Sequence, residues 1–253
     1  MKFLLPPSEG KTRPVQGTPA EAADLSLPAL TEPRAQVLDA LIALSAQDDA
    51  RELLGVGKSL EDEVRANTGL RTAPAAPAHM VYTGVLFNAL GAHDLTDVRP
   101  ERRTDVLVMS GLFGVVGFVD RIPAYRLSMG ANLPPLGRMR TWWRSRLAPV
   151  LDDALADELL LDCRSADYRA AWPGPRERIV TVDVVQVRGG KRTVVSHFAK
   201  HTRGELVGRL LRSSDPLPAT PEDLATAASA FYHVELTQVP RKPASLTIVL
   251  DEG

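Results

Sequence analysis

The stretch Asp105 to Gly130, DVLVMSGLFGVVGFVDRIPAYRLSMG, decides the fold of this chain. Its first five residues, Asp105 to Met109, are mainly β-branched or long apolar side chains ahead of a Ser-Gly pair, which predicts a buried strand that ends abruptly. The following glycines predict a loop, either a tight backbone path or a short helical turn, and they recur at Gly111, Gly114 and Gly117. A strand end rich in Ser, Gly, Tyr and Arg is a frequent ligand site in mixed α/β proteins. The alternative is that the glycines only turn a corner and that Tyr125 is core.

The rest of the chain alternates helical and strand patterns. Val-rich and Thr-rich segments joined by Gly189-Gly190 predict a hairpin, and apolar spacing of three and four residues predicts helices. The predicted strands are Lys2 to Leu5, Asp105 to Met109, Leu159 to Asp162, Ile179 to Val187, Arg192 to Phe198, Phe231 to Leu236 and Leu246 to Leu250. The main predicted helices are Pro33 to Ala46, Asp48 to Leu54, Lys58 to Asn67, Arg138 to Leu155, Thr202 to Leu211 with Thr202 as cap, and Pro221 to Ala230. We therefore expect a mixed α/β (α+β) fold with a central mixed sheet, surrounding helices and a helical insertion at about 33–75.

Length and composition indicate one ordinary globular core. The chain has 253 residues, 44% hydrophobic and 24% charged, which suits a single domain spanning 1–253. Its apolar runs are shorter than the ~20 residues of a membrane helix, and Met1-Lys2 leads into a polar segment rather than a signal sequence. We expect a cytoplasmic protein with no membrane partner. The single cysteine, Cys163, excludes an internal disulfide and a thiolate zinc cage, and we expect no metal and no cofactor.

Charge is balanced overall and uneven locally. The net charge of −1 argues against wholesale polyanion binding, because nucleic-acid affinity comes mainly from Lys and Arg. Arg138 to Arg146, RMRTWWRSR, holds four arginines, two tryptophans and no acid. One interpretation is a locally basic face. The other, which we favour, is an amphipathic helix with solvated arginines and core tryptophans.

Six short motifs occur in order along the chain. They are LPPSEGKT at Leu5 to Thr12, VYTG at Val81 to Gly84, SGLFG with YRLSMG inside Ser110 to Gly130, WW at Trp142 and Trp143, RSADY at Arg164 to Tyr168, and HFAKHTRG at His197 to Gly204. Taken together, they resemble the motifs of the YaaA family. Each is weak alone, and the match spans almost the whole chain, to about Arg212. The resemblance implies a single YaaA-like domain that protects bacteria against hydrogen peroxide by limiting iron-driven oxidative damage.

The segment Leu53 to Val64, LLGVGKSLEDEV, resembles a helix-hairpin-helix motif. Glycines permit a tight hairpin, and the backbone N–H groups at the start of its second helix favour a phosphate without reading bases. The gripping residues would be Gly55, Val56, Gly57 and Lys58. The acidic run Glu61 to Glu63 opposes a polyanion, so two helices joined by a glycine turn with no ligand remain an equal alternative.

A second candidate site is a cleft at the strand ends. Its predicted phosphate-binding or nucleic-acid-binding residues are Lys11, Arg126, Lys200 and Arg203; its other predicted lining residues are Ser8, Ser110, Gly111 and Tyr125. Ser8 and Lys11 directly follow the first strand, and Lys200 with Arg203 matches the family's AKxxRG word. A basic pair ahead of a helix suits an anion. His197 and His201 have metal-ligand spacing, but the preceding strand pattern and the missing Glu make metal binding a minor alternative.

Two functions from different classes follow. The leading hypothesis is a protein that binds DNA through the hairpin and the basic cleft. The alternative is an enzyme acting on a nucleobase, nucleoside or phosphorylated sugar in the same cleft, with Asp167 or Tyr168 as proton carrier and a nucleotide-like small molecule as partner. A closed pocket of a few hundred Å³ favours the small ligand, and an open basic groove favours the polymer.

Overall fold

The computed structural model describes residues 1–188, 191–194 and 196–251, and these form a central mixed sheet with helices around it. The predicted mixed α/β fold class is therefore confirmed. The strands are β1 Lys2–Leu5, β2 Ala76–Pro77, β3 Val106–Ser110, β4 Gly114–Gly117, β5 Arg121–Ile122, β6 Asn132–Leu133, β7 Gly137–Arg138, β8 Leu160–Asp162, β9 Ile179–Arg188, β10 Lys191–Val194, β11 His233–Thr237 and β12 Ala244–Asp251. The helices are α1 Thr31–Ser45, α2 Ala50–Leu53, α3 Glu61–Ala66, α4 Ala78–Val81, α5 Val85–Leu90, α6 Pro100–Arg103, α7 Met139–Ala154, α8 Ala166–Ala171, α9 Ser196–Arg212 and α10 Pro221–Ser229.

The sheet is built outward from β1 in both directions. Its strand order is β11-β12-β9-β8-β1-β3-β4, with β10 paired to β9, and the neighbours from β12 to β3 run parallel. The strand β1 has Phe3, Leu4 and Leu5 fully buried, as expected of a parallel strand covered on both faces. The chain first adds β3 on one side of β1 and later adds β8 on the other. This reversal leaves a crevice beyond the carboxyl ends of these strands.

Helices α1 to α3 fall in the segment 33–75 that the sequence predicted to be helical, and α1 starts slightly earlier, at Thr31. Their apolar faces do not form a separate core: Leu41 of α1 and Val64 of α3 belong to the same buried cluster as β1. Arg34 is also fully buried, because its guanidinium donates to the carbonyl oxygens of Ser26 at 2.7 Å and Val115 at 2.8 Å. The helical segment is thus tied to the sheet.

The stretch Asp105 to Gly130 differs in part from expectation. Residues 111–113 form a tight turn after β3, but Gly114–Gly117 is not loop or helical turn: it is strand β4, antiparallel to β3. Gly114 has a φ of +72°, and a Cβ there would lie 2.7 Å from the Trp143 ring. Glycine is needed at this position both for the backbone conformation and for the close approach of helix α7.

Helix α7 has the amphipathic character that we favoured for Arg138 to Arg146. Trp143 is fully buried and Trp142 nearly so, while Arg146 stacks over the Trp142 ring at 3.7 Å. Its Pro149 lies inside the helix, as the predicted span requires. The arginines of this helix therefore flank core tryptophans.

The start of helix α9 is a second correction. The predicted strand from Arg192 to Phe198 ends at Val194, and α9 begins at Ser196 rather than at Thr202. Thr202 is not a cap: it lies within the helix and its hydroxyl donates to the Phe198 carbonyl at 2.9 Å. The predicted turn at Gly189-Gly190 lies outside the described residues. Of the helices in the described part of the chain, none combines the length and the apolar character that crossing a membrane would require.

Candidate active site at the strand ends

A cleft of about 610 Å³ opens at the carboxyl ends of β1 and β8. Five segments that are far apart in the sequence line it: 6–11, 83–87, 126–130, 163–168 and 200–203. The first follows β1 and the fourth follows β8, so the parallel order of the sheet brings them to one edge. This is the crevice that the strand order creates.

Lys11 is the last residue of the lining segment 6–11, and its side chain lies over the rings of Tyr82 and Tyr125. The Thr12 backbone donates to the Val81 carbonyl at 2.8 Å, and Lys11 forms a β-bridge with Tyr82. The Lys11 Nζ donates to the Ser8 carbonyl at 2.8 Å and lies 4.5 Å from the centre of the Tyr125 ring. Burial, and next the Arg126 charge, lower the pKa of Lys11 to about 7.

Three hydroxyl groups form a buried chain beneath Lys11. The Ser110 hydroxyl lies 2.7 Å from the Tyr125 hydroxyl, which lies 3.0 Å from that of Tyr82. Burial raises the pKa of both phenols well above the ordinary value, so both stay protonated. Ser110 and Tyr125, which the sequence analysis expected in the cleft lining, are in fact under its floor. Tyr82 was not selected from the sequence, although it lies in the motif VYTG.

Gly111 and Ser8 support the cleft in different ways. A Cβ on Gly111 would lie 2.5 Å from the Leu127 carbonyl oxygen, so glycine lets β3 end against the 126–130 segment. The Trp143 indole donates to the Gly111 carbonyl at 2.8 Å. Ser8 lies in the lining, where its hydroxyl accepts from the Thr83 backbone at 2.9 Å. Gly111 shapes the wall from behind, whereas Ser8 fixes two lining segments to each other.

The four predicted cations all line this cleft, and they differ in how free they are. Arg126 is largely covered, since its Nε lies 3.0 Å from a Glu63 carboxylate oxygen. Arg203 donates twice to the Val182 carbonyl, at 2.9 and 2.6 Å, which holds the guanidinium against β9. Lys200, one turn earlier on α9, is exposed. Lys200 is thus the most exposed of the four cations, and Arg203, three residues further along α9, lies on the same side of the helix.

Asp167 and Tyr168 stand at the start of α8, in the same cleft. The Asp167 carboxylate accepts from Arg140 at 3.1 Å. Burial is the main cause that raises the pKa of Tyr168, so its phenol is a proton donor at neutral pH. Glu9 is a further acidic lining residue, and the sequence analysis missed it although it lies in the opening motif.

The hairpin Gly55 to Lys58 lies outside this cleft lining but is linked to it by α3. Gly55 has a φ of +65°, the left-handed conformation that a tight turn needs. The Gly55 and Val56 amides donate to the carbonyls of the preceding helix, at 3.0 and 3.1 Å. These two amides are already used within the turn. Glu63 of α3 reaches the cleft by its contact with Arg126.

Metal ligation finds no support in the part of the chain that the structure describes. No group of three or more His, Cys, Asp or Glu side chains there is arranged to hold a metal ion. His201 is exposed, and its Nδ1 lies 3.9 Å from the Glu205 carboxylate. The charged and phenolic groups that line the cleft are Lys11, Arg126, Lys200, Arg203, Glu9, Asp167 and Tyr168.

These features define a class: a mixed α/β protein with a cleft lined by four cationic side chains at the reversal point of a largely parallel sheet. A family model described as "Peroxide stress protein YaaA" matches residues 1–237. The chain belongs to the YaaA family, as the six motifs predicted.

Relatives support this membership along the full length. A UPF0246 protein of Streptomyces coelicolor is 44% identical over 261 residues, covering 100% of this chain and 99% of the relative. A UPF0246 protein of Corynebacterium efficiens is 41% identical, covering 100% and 96%. An uncharacterized protein of Campylobacter jejuni is 27% identical, covering 99% of both chains.

Proposed function

We propose that this YaaA family protein acts in the cytoplasm during peroxide stress by binding DNA, with one nucleotide of the strand seated in the cleft. The observation that carries the proposal is the convergence of Lys11, Arg126, Lys200 and Arg203 from three distant segments of the chain. Cations brought together in this way stabilise phosphate. By limiting iron-driven damage at bound DNA, the protein would protect the cell against peroxide, the stress that the family description names.

The size of the cleft restricts the form of DNA that it accepts. A volume of about 610 Å³ lies in the range of pockets that hold one small molecule, and a single nucleotide has that size. A paired duplex does not enter such a space, whereas an unstacked nucleotide does. We therefore expect preference for single-stranded or locally opened DNA over a fully paired duplex.

The hairpin at Gly55 to Lys58 is proposed as a second phosphate contact beside the cleft. Its support is the glycine turn and the exposed Lys58 at the start of a helical segment. Glu61 and Asp62 follow immediately and repel phosphate. The hairpin contribution to affinity is accordingly expected to be smaller than that of Lys200.

Fluorescence anisotropy with single-stranded, bubble and duplex DNA across a salt series tests this function. Lys200→Glu is expected to weaken binding of all three and to reduce the salt slope by about 1, because one phosphate contact is lost. Lys58→Glu is expected to have a weaker effect in the same direction.

The matched control is Lys242→Glu, which reverses the charge of an exposed lysine in the turn between β11 and β12. It is expected to bind as the wild type does. Absence of binding at low salt, or equal loss in Lys242→Glu and Lys200→Glu, contradicts DNA binding through the cleft.

A second candidate is an enzyme for a phosphorylated sugar, nucleoside or nucleobase. The observation that favours it is the size of the cleft, about 610 Å³, with a lysine of lowered pKa and a protonated phenol, Tyr168, in its walls. Groups with shifted pKa values in a pocket are typical of reacting sites. Thermal stabilisation by such ligands in the absence of DNA is the expected result.

A further inference from the structure

Lys11 has surroundings unlike those of a lysine that only neutralises phosphate. Its Nζ donates to the carbonyl oxygens of Ser8 at 2.8 Å and Glu9 at 3.4 Å. It also lies over the faces of Tyr125 at 4.5 Å and Tyr82 at 5.6 Å. No carboxylate of the described residues lies within ion-pair distance of this nitrogen. Two carbonyls match the two protons of a neutral amine, which leaves its lone pair unused.

The charged groups around Lys11 act in opposite directions, and burial outweighs them. Burial is the largest influence and Arg126 the second, and both lower the pKa of Lys11 from its ordinary 10.5 to about 7. The carboxylates of Glu63 and Glu9 raise it to a smaller extent. At neutral pH a large share of molecules therefore carries a free amine, the form that is nucleophilic.

Two other potential nucleophiles near the cleft, Cys163 and Ser110, are held inactive. Burial raises the pKa of the Cys163 thiol to about 12, so the thiolate is scarce. The Ser110 hydroxyl is fully buried and is already bonded to Tyr125 and to the Phe113 backbone. Lys11, in contrast, lies in the cleft lining, and in a fraction of the molecules it carries the neutral amine.

We propose that Lys11 is an amine nucleophile that forms an imine with the aldehyde of a phosphorylated sugar seated in the cleft. The phosphate would lie toward Lys200 and Arg203, which line the same cleft. This inference rests on the anion-binding cleft of the proposed function. It goes further by assigning a covalent step and a substrate class.

The step is balanced without any oxidant or reductant. The Lys11 nitrogen attacks the carbonyl carbon, a C–N bond forms as the C=O π bond breaks, and one N–H proton passes to the oxygen to give a neutral carbinolamine. The second N–H proton is then transferred to the hydroxyl group, the C–O bond breaks, and the oxygen departs as one water molecule that carries both protons. The products are the imine and water, and addition of water reverses the step.

Two classes of molecule carry both an aldehyde and a phosphate. A free sugar phosphate exposes an aldehyde when its ring opens, and an abasic site in DNA exposes a deoxyribose aldehyde between two phosphates. Both carry the aldehyde and the anion that the cleft would recognise. The experiment therefore contains one arm for each.

The wild-type chain is incubated with 2-deoxyribose 5-phosphate, or with an oligonucleotide that contains one abasic site, in the presence of sodium cyanoborohydride. Hydride converts an imine into a stable secondary amine, which peptide mapping by mass spectrometry locates. At neutral pH we expect Lys11 to be labelled faster than exposed Lys242 by about 100-fold or more, since an ordinary lysine with a pKa of about 10.4 is almost entirely protonated.

Lys11→Arg keeps the positive charge and cannot form an imine, so total labelling is expected to fall to the surface background. 2-Deoxyribose without phosphate is expected to label Lys11 more slowly than its 5-phosphate. If Lys11→Arg does not fold, the comparison of Lys11 with Lys242 within the wild-type chain still decides the matter.

Labelling of Lys11 in either arm supports the proposal and identifies the source. Labelling of Lys11 no faster than Lys242 in both arms overturns it, and equal rates with and without phosphate overturn the substrate class. Anisotropy with undamaged DNA is measured in parallel. Trapping at Lys11 without DNA binding would refute the proposed DNA binding and leave this inference standing, and the reverse result would refute only this inference.

Discussion

At the scale of single residues, Lys11 shows how a site residue opposes folding. A lysine that the fold surrounds with tyrosine rings and carbonyl groups loses hydration, and the hydrogen bond to Ser8 replaces only part of it. The folded protein therefore favours the neutral amine. Reactivity and stability are linked at this position, because the loss of hydration that frees the lone pair also makes the charged form unfavourable.

The stability of the wild type relative to Lys11→Met is expected to rise with pH between about 7 and 10.5, the folded and ordinary pKa values. In this window the unfolded chain binds a proton at Lys11 that the folded chain has released, so increasing pH favours folding. Below pH 7 both states are protonated and the difference is constant. Urea unfolding of both proteins at about pH 6, 8 and 9.5 measures this difference in the free energy of unfolding.

Lys242→Met is the reference, since it replaces an exposed lysine with the same side chain. A stability difference between wild type and Lys11→Met that is flat across these pH values would show that burial does not shift the amine pKa.

At the scale of elements, helix α9 carries Lys200 and Arg203 and is held close to α5 by two glycines. A Cβ on Gly204 would clash with the Leu86 carbonyl oxygen, and one on Gly208 would lie 2.6 Å from the Leu90 carbonyl oxygen. The two helices approach each other with backbone against backbone. The position of the basic pair therefore depends on residues that have no side chain.

Gly204→Ala is expected to destabilise the protein by about 1–3 kcal/mol, because inserting a methyl group into a tight contact forces the helices apart. The clash outweighs the roughly 0.5–1 kcal/mol that Ala gains over Gly in a helix interior. Chemical denaturation measures the change. DNA affinity at low temperature, where the variant is still folded, is expected to fall because Lys200 moves with α9.

Gly69→Ala is the matched control, since Gly69 has open space around its Cβ position. It is expected to leave both stability and affinity near the wild-type values. Equal destabilisation by both substitutions would mean that the α5–α9 contact is not the cause.

At the scale of the whole molecule, local sequence patterns were sufficient to predict β1, α7 and the two strands β11 and β12, because the apolar residues of those segments recur with the period of the element. They failed where distant contacts decide. A glycine such as Gly114 is typical of a loop, and only the structure shows that the Trp143 ring packs against it. The strand β4 arises from pairing with β3, which no short window reveals.

Most residues of the candidate site could be predicted from the sequence, but their positions relative to the cleft surface could not. Lys11, Arg126, Lys200 and Arg203 were named from motifs, and they do line one cleft. Tyr125 was also named, but it lies beneath Lys11 rather than beside a ligand. Depth below a surface depends on the packing of several segments, so sequence spacing does not give it. The hairpin at Gly55 to Lys58 stays a prediction.

A ligand that enters the cleft is expected to stabilise the whole molecule. Because five distant segments meet there, unfolding any part of the wall releases the ligand. The free energy of unfolding is therefore expected to rise by about 2.7 kcal/mol when the free ligand concentration is 100 times the dissociation constant. Differential scanning fluorimetry with sugar phosphates, nucleotides and nucleobases measures the shift. Lys200→Glu is expected to reduce it for phosphorylated ligands and to spare nucleobases, and no shift with any ligand would contradict a small-molecule site.

The assembly of the cleft from both ends of the fold also bears on synthesis at the ribosome. The first wall segment, 6–11, emerges early, whereas Lys200 and Arg203 emerge only after about four fifths of the chain has been made. A nascent chain that lacks α9 has no basic pair to close the site. Copies truncated before α9 are therefore expected to lose the ligand binding that we propose for the cleft, and such binding would report that the chain has been translated through α9 and folded.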